Sequence, residues 1–172
     1  MKRVGDDVVY LPAFYDRHFM TAARWRPRLQ ETLTRIALAS DQFTDDWWII
    51  GSAAAALSGA EIAIVRDVDL LLSERDARRL LDLWKEEAHS AAMPDAQFRS
   101  AVFARYEAAP LPIEAFGNFE MNIRGQWRAV APLTREARGA VFTPSVAEQI
   151  ALLQAMGRSK DEARINALKA RL

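Results

Sequence analysis

Between residues 47 and 72 the chain runs through two apolar segments punctuated in an unusual way. Trp47-Trp48-Ile49-Ile50 ends on Gly51-Ser52, and the segment Val65 to Leu72 carries Asp67 and Asp69 at alternate positions. A short apolar run that stops at glycine reads as a buried strand followed by a turn in which the backbone can approach a ligand closely. Alternating carboxylates inside an apolar run read as a strand with Asp67 and Asp69 on one face and Val68, Leu70 and Leu72 on the other. Carboxylates flanked by Val65, Val68, Leu70 and Leu71 sit at the rim of a core, where an unpaired charge is costly unless a cation or a donor compensates it.

The spacing has a chemical use. Aspartates two apart on a strand have α-carbons roughly 6.5 to 7 Å apart and project side by side, so both can ligate an oxygen-preferring cation such as Mg²⁺ or Mn²⁺. Two such ions about 3.5 to 4 Å apart can clamp the attacking and leaving oxygens of a phosphoryl-type displacement. The competing reading is a structural ion pair between an aspartate and Arg66 or another arginine. Acids are frequent enough for the spacing to recur without function, as in Glu74-Arg75-Asp76, which is assigned to a helix surface. For Gly51-Ser52 the two readings are compatible: Ser52 is an N-cap of the next helix, and the same turn offers N–H groups and a hydroxyl to phosphate oxygens.

The remaining pattern alternates helices and strands. A helix is expected over Thr21 to Ser40, with Leu29, Leu33, Ile36 and Leu38 near helical spacing and Pro27 in its first turn. Ser52 to about Ser58 is a short helix whose alanines, Ala53 to Ala56, form a crowded face and which Gly59 ends. Ser73, with Asp76 three residues on, opens a helix running to about His89 with Leu80, Leu81 and Trp84 buried. A turn at Met93 to Asp95 precedes strands at Phe98 to Tyr106 and Ile113 to Phe116, the latter starting just after Pro112. Gln126 to Val130 reads as a further strand, and Pro144 to Met156 and Ser159 to Leu172 as two closing helices separated near Gly157.

At 172 residues the chain suits one domain, residues 1–172, with a core at about 45–130, the N-terminal helix before it and the helical pair, about 144–172, after it. Lys plus Arg equals Asp plus Glu at 23 each, so no net field draws the chain to nucleic acid or an acidic membrane. Cysteine is absent, which removes disulfides, thiolate metal sites and thiol nucleophiles. The acidic start Met1-Lys2-Arg3-Val4-Gly5-Asp6-Asp7 does not read as a secretory signal, and a cytoplasmic location is expected. His18 and His89 are too few and too far apart to suggest a histidine metal cluster, and neither a Walker-type Gly-Lys-Ser/Thr nor Gly-x-Gly-x-x-Gly occurs. Trp47, Trp48 and Trp84 are read as packing residues, whereas Trp25 and Trp127 are candidates to stack on a base.

Trp47 to Ser52, an intervening helix and Arg66-Asp67-Val68-Asp69-Leu70 together resemble the signature of the nucleotidyltransferase superfamily with the DNA polymerase β-like fold. The resemblance covers roughly residues 45 to 168. It implies an α/β (α+β) nucleotidyltransferase fold: a mixed, twisted β-sheet with flanking helices and a C-terminal helical pair. It also implies a third carboxylate on a later strand, for which Glu114 in Ile113-Glu114-Ala115-Phe116 stands at a suitable distance, as a third metal ligand or as the base that takes the acceptor hydroxyl's proton. A loop-edge glutamate that merely faces water is the other reading of Glu114, between Pro112 and Gly117.

The ending, Pro144-Ser145 and then Gly157-Arg158-Ser159-Lys160-Asp161, looks like that of small AbiEii-like nucleotidyltransferases of the abortive-infection toxin type. In that group a basic residue and an acid near the equivalent of Lys160-Asp161 face the nucleotide, so Arg158 and Lys160 are expected to meet phosphate oxygens, or else to decorate a helix start. The chain departs from those relatives at Leu153, where many carry lysine, and at Arg164, where they carry an acid. The resemblance implies Mg²⁺ or Mn²⁺ as cofactor, a nucleoside triphosphate as substrate, an acceptor of unknown identity, and a nucleotidyl transfer in which pyrophosphate leaves. The alternative is a fold of this kind that binds or regulates without catalysing, or a toxin held by a cognate antitoxin; a homo-oligomer is the other partner considered.

Overall fold

The computed structural model describes residues 17–89 and 95–172, with side chains from residue 24 onward. The acidic start at Met1 to Asp7, the side chain of His18 and most of the turn at Met93 to Asp95 lie outside the described residues. In chain order the elements are α1 (Arg17–Ala39), β1 (Trp48–Ile50), α2 (Gly51–Leu57), β2 (Val68–Leu72), α3 (Glu74–Leu83), β3 (Ala88–His89), β4 (Phe98–Tyr106), β5 (Ile113–Ile123), β6 (Gln126–Ala129), β7 (Glu136–Arg138), β8 (Val141–Thr143), α4 (Val146–Met156) and α5 (Glu162–Lys169). The main sheet runs β1-β2-β5-β4-β3, with β6 also paired to β5. It is mixed: β2 and β5 are parallel, and the other pairings are antiparallel.

Side-chain alternation divides the core between the two faces of this sheet. Val68, Leu70 and Leu72 of β2 join Ile113 and Ala115 of β5 on the face covered by α1 and α3, through Leu29, Leu33, Ile36, Ala77 and Leu80. Leu71 and Phe116 lie on the other face with Ile150, Leu153 and Met156 of α4 and Leu168 of α5. The alternation expected around Asp67 and Asp69 is therefore present in its apolar half. Every change of face along β2 and β5 moves a residue from one helical layer to the other, which is what fixes the register.

Several boundaries differ from expectation. The first helix spans Arg17–Ala39, so Pro27 sits in its interior rather than its first turn. Proline there donates no ladder bond, and burial of Trp25, Leu29, Leu33 and Ile36 along the inner face outweighs that loss. Leu38, counted with that apolar face, is 71% exposed. The strand expected from Val65 begins at Val68, whose N–H donates to the carbonyl of Pro112 at 2.9 Å.

The helix expected to reach His89 ends at Leu83. The chain then makes a short 3₁₀ turn, Lys85–Glu87, and a two-residue strand on β4. Trp84 stops the helix by packing edge-on against Tyr106 at 5.1 Å, under the guanidinium of Arg35, which also pairs with Glu87. The strand at Ile113 runs on to Ile123, and the β7–β8 hairpin was not foreseen, since three-residue strands are too short to show a period.

Ser73 caps α3 as expected, its hydroxyl accepting from the Asp76 N–H at 3.1 Å. Asp76 does not reach back to complete a capping box, nor does it lie on the helix surface. It is fully buried, and its carboxylate accepts from the N–H groups of Thr44 at 3.0 Å and Asp45 at 2.8 Å and from the Thr44 hydroxyl at 3.2 Å. The carboxylate thus ties the loop before β1 to the start of α3. Asp76→Ala leaves buried donors without an acceptor and is expected to cost about 3 kcal/mol. Urea denaturation measures it, and a loss below about 0.5 kcal/mol, the size of an ordinary surface change, contradicts this role.

Candidate active site at the start of β2

Four strands bring the site together. Ile50 of β1 stands opposite Asp69 of β2, Asp69 opposite Glu114 of β5, and Glu114 opposite Arg105 of β4. One row across the sheet therefore carries Asp69, Glu114 and Arg105 side by side, on the face toward α4 and α5. Asp67 lies two residues before Asp69, in the connection that leads into β2.

Gly51 follows Ile50 directly, with φ of +70°, a conformation that side chains other than glycine's rarely tolerate. The space its missing side chain would need is filled. A Cβ built on Gly51 would fall far inside van der Waals contact distance of Asp69 Oδ2 and 3.2 Å from Asp69 Cγ. The Gly-Ser turn and the second aspartate are thus one packed unit. Ser52 is not the cap: Ile50 holds that position with no side-chain cap bond, and Ser52 is buried in the first turn of α2. Buried Ser52, Ala53, Ala54 and Ala55 are small enough to seat α2 closely.

Asp69, Gly51 and Glu114 form one end of a cavity of ≈ 360 Å³, within the size range of small-molecule sites, roughly 300–1,000 Å³. Arg158 and Arg164 complete that polar end, and Phe98, Phe103, Phe116 and Phe119 form much of the apolar wall. Phe116 and Phe119 are three apart on one strand yet share the cavity. Asn118 between them has φ of +50°, and no Ala101–Asn118 pair appears in the ladder between Ser100–Phe119 and Val102–Gly117. That local break reverses the alternation and adds the Phe119 ring to the wall that Phe116 already lines. Leu153, where a lysine was considered, is buried on α4 and lines the same space.

The carboxylates differ in their company. Glu114 is ion-paired with Arg105, whose Nε also donates to Glu107 at 3.0 Å. Among the described residues neither Asp67 nor Asp69 makes an ion pair, so the structural pairing with Arg66 is not found. Burial pushes the Asp69 carboxyl up to about 7, helped by the negative charges of Asp67 and Glu114 and opposed by Arg164 and Arg158. Asp69 is a half-buried acid short of positive charge. Such a group suits a hard cation, and its donor set is the oxygen-only one that Mg²⁺ or Mn²⁺ prefers. Among the described residues no three acidic, histidine or cysteine side chains are already grouped closely enough to hold a metal ion.

At the C-terminal end the expected residues are placed unequally. Arg158 faces the cavity. Lys160 is exposed and is not part of its lining. Asp161, expected to face the nucleotide, is fully buried; it accepts from Arg158 Nε at 2.6 Å and lies 3.4 Å from Arg164 Nη1. Arg164, which the sequence presented only as a departure from a pattern, lines the cavity. Its one sequence signal was its position three residues after Asp161, on the same face of a helical turn. Trp25 is buried with its indole N–H on the Ala63 carbonyl at 3.2 Å, and Trp127 lies under the Arg99 guanidinium at 4.3 Å; neither lines the cavity.

No helix among the described residues is long and apolar enough to cross a membrane. No protein-family profile and no curated protein sequence matches the chain. Similarity appears in solved structures. One is a candidate nucleotidyltransferase from Thermotoga maritima, 17% identical, with a TM-score of 0.66 over 86% of this chain and 96% of that one. Another is the lincosamide antibiotic adenylyltransferase LnuA, solved with lincomycin bound, 15% identical, with a TM-score of 0.55 over 83% of this chain and 97% of that one. At these identities the likeness is one of architecture, and it agrees with the order β1-α2-β2 and the mixed sheet: the chain has the nucleotidyltransferase fold.

Proposed function

We propose that the protein transfers a nucleoside monophosphate from a nucleoside triphosphate to an acceptor hydroxyl with the help of a divalent cation. The observation that carries this reading is the packing of Asp69 into the side-chain space of Gly51, at one end of a cavity that also holds Glu114, Arg158 and Arg164. Asp67 and Asp69 would hold Mg²⁺ or Mn²⁺, which supplies Lewis-acid polarisation of phosphate oxygens. Glu114 extends the acidic row, as a third ligand or as the base for the acceptor's proton. The Gly51-Ser52 backbone and Arg158 meet the phosphates. The acceptor oxygen forms a bond to the α-phosphorus, the bond from that phosphorus to the α–β bridging oxygen breaks, and its electron pair leaves with pyrophosphate. The acceptor's proton passes to a carboxylate of the row.

Incubation with α-phosphate-labelled nucleoside triphosphates, Mg²⁺ and cell extract tests this. Label should move to an extract component with wild-type protein and fall to background with Asp67→Ala. Transfer that persists in Asp67→Ala contradicts the proposal.

A second reading has its own support. Glu114 is engaged by Arg105, and among the described residues no third acid joins Asp67 and Asp69 in a group that could hold a metal ion, which suits a module of this fold that binds nucleotide without turning it over. Nucleotide binding measured by calorimetry, with no label transfer across a range of extracts and both cations, is the outcome that favours it.

A further inference from the structure

Arg164 and Asp161 have a role that the motif comparison did not assign. We propose that Arg158 and Arg164 form a guanidinium fork for the terminal phosphates of the bound nucleotide, and that Asp161 is the positioning residue that orients both. This rests on the nucleotidyl-transfer reading of the cavity.

The geometry supports a division of labour. Asp161 is fully buried, so it touches no ligand; each of its carboxylate oxygens faces one arginine, Oδ2 with Arg158 Nε at 2.6 Å and Oδ1 with Arg164 Nη1 at 3.4 Å. The arginine side chains are 27% and 25% exposed, and both line the cavity. Arg158 is further steadied by the Phe98 ring, 5.4 Å from its guanidinium carbon. Using Nε for Asp161 leaves both terminal nitrogens of Arg158 free of protein partners among the described residues, and Arg164 keeps Nη2 and Nε. One buried carboxylate neutralises one of two guanidiniums, so the pair retains positive charge for a ligand.

The ligand that matches is an anion with several oxygens. Planar guanidinium groups bind phosphate oxygens in pairs, and two of them held at fixed orientation suit a diphosphate better than a single charge does. Asp69 and Glu114 lie in the same cavity. The fork thus divides the polar end into an acidic half for a cation and a basic half for phosphate. In the proposed transfer the basic half would receive the electron pair's destination, the departing pyrophosphate.

Binding of inorganic pyrophosphate, measured by calorimetry with Mg²⁺ present, tests the fork directly. Wild-type protein should bind it. Arg164→Gln should weaken binding at least tenfold, Arg164→Lys should recover part of that loss, and Lys169→Gln, an exposed charge on the same helix, should change it less than twofold. Asp161→Asn should raise KM for the triphosphate about as much as Arg164→Gln, and the double variant should add little, because the aspartate acts through the arginines. Fully additive effects overturn the positioning role. Pyrophosphate affinity unchanged in Arg164→Gln, or none in wild type, overturns the fork. Label transfer that depends on Asp67 but not on Arg164 would reject the fork while leaving the transfer reading intact.

Discussion

Asp69→Asn should reduce nucleotidyl transfer by about 10³-fold or more, since it removes a charge from the centre of the acidic row while keeping its shape. The same substitution should not unfold the protein. Burial, Asp67 and Glu114 push the Asp69 carboxyl from 3.8 up to about 7, so the folded state holds the proton more tightly than the unfolded chain does. Stability contributed by this group is therefore fully present below about pH 4 and is lost as pH rises through about 7. Without a divalent ion, Asp69→Asn should melt above wild type at pH 8 and close to it only at about pH 4 or below. Added Mg²⁺ should raise the wild-type melting temperature at pH 8 and leave the variant nearly unmoved. Thermal melts at both pH values, with and without MgCl₂, check this; a variant less stable than wild type at pH 8 contradicts the placement of Asp69.

Gly51→Ala should cost about 2–5 kcal/mol and lower transfer with it. Two terms add. A side chain at φ of +70° costs about 1–2 kcal/mol, and forcing a methyl group into the space held by the Asp69 carboxylate costs a further 1–3 kcal/mol, roughly, by displacement. Gly139→Ala separates the two terms. Gly139 also has positive φ, +66°, but nothing lies within 4 Å of a Cβ built there, so only the backbone term of about 1–2 kcal/mol applies. Urea denaturation of both variants measures the difference. Equal losses would mean that the Asp69 carboxylate does not occupy the space beside Gly51.

The local half of the site was readable because its grammar is local. Glycine after an apolar run marks where a strand must turn, and period-two alternation sorts Asp69 from Val68 and Leu70 before any partner strand is known. The C-terminal half resisted for the opposite reason. Arg158, Lys160 and Asp161 are close in sequence, yet one faces the cavity, one faces solvent and one is buried. A 3₁₀ turn at Ser159–Asp161 followed by α5 distributes them around an axis, so proximity along the chain says little about direction. Glu114 shows a third case: its strand was anticipated, but its pairing with Arg105 depends on the β4–β5 register.

Errors in element boundaries have the same origin. Pro27 was placed in a first turn because propensity disfavours it elsewhere, but burial along α1 carries the helix past it. Asp76 was placed on a surface because charge usually goes there, but three donors from Thr44 and Asp45 compensate its burial.

Alone, the amino-acid order determined the strand, turn and alternating aspartates around residues 47 to 72, because those features follow from backbone geometry over a few residues. Tertiary structure decided which charges meet: Asp69 against Gly51, Glu114 against Arg105, and Arg164 beside Arg158 through Asp161. Register and helix docking set those distances, and they arise from the packing of both sheet faces at once, which no short stretch of chain encodes.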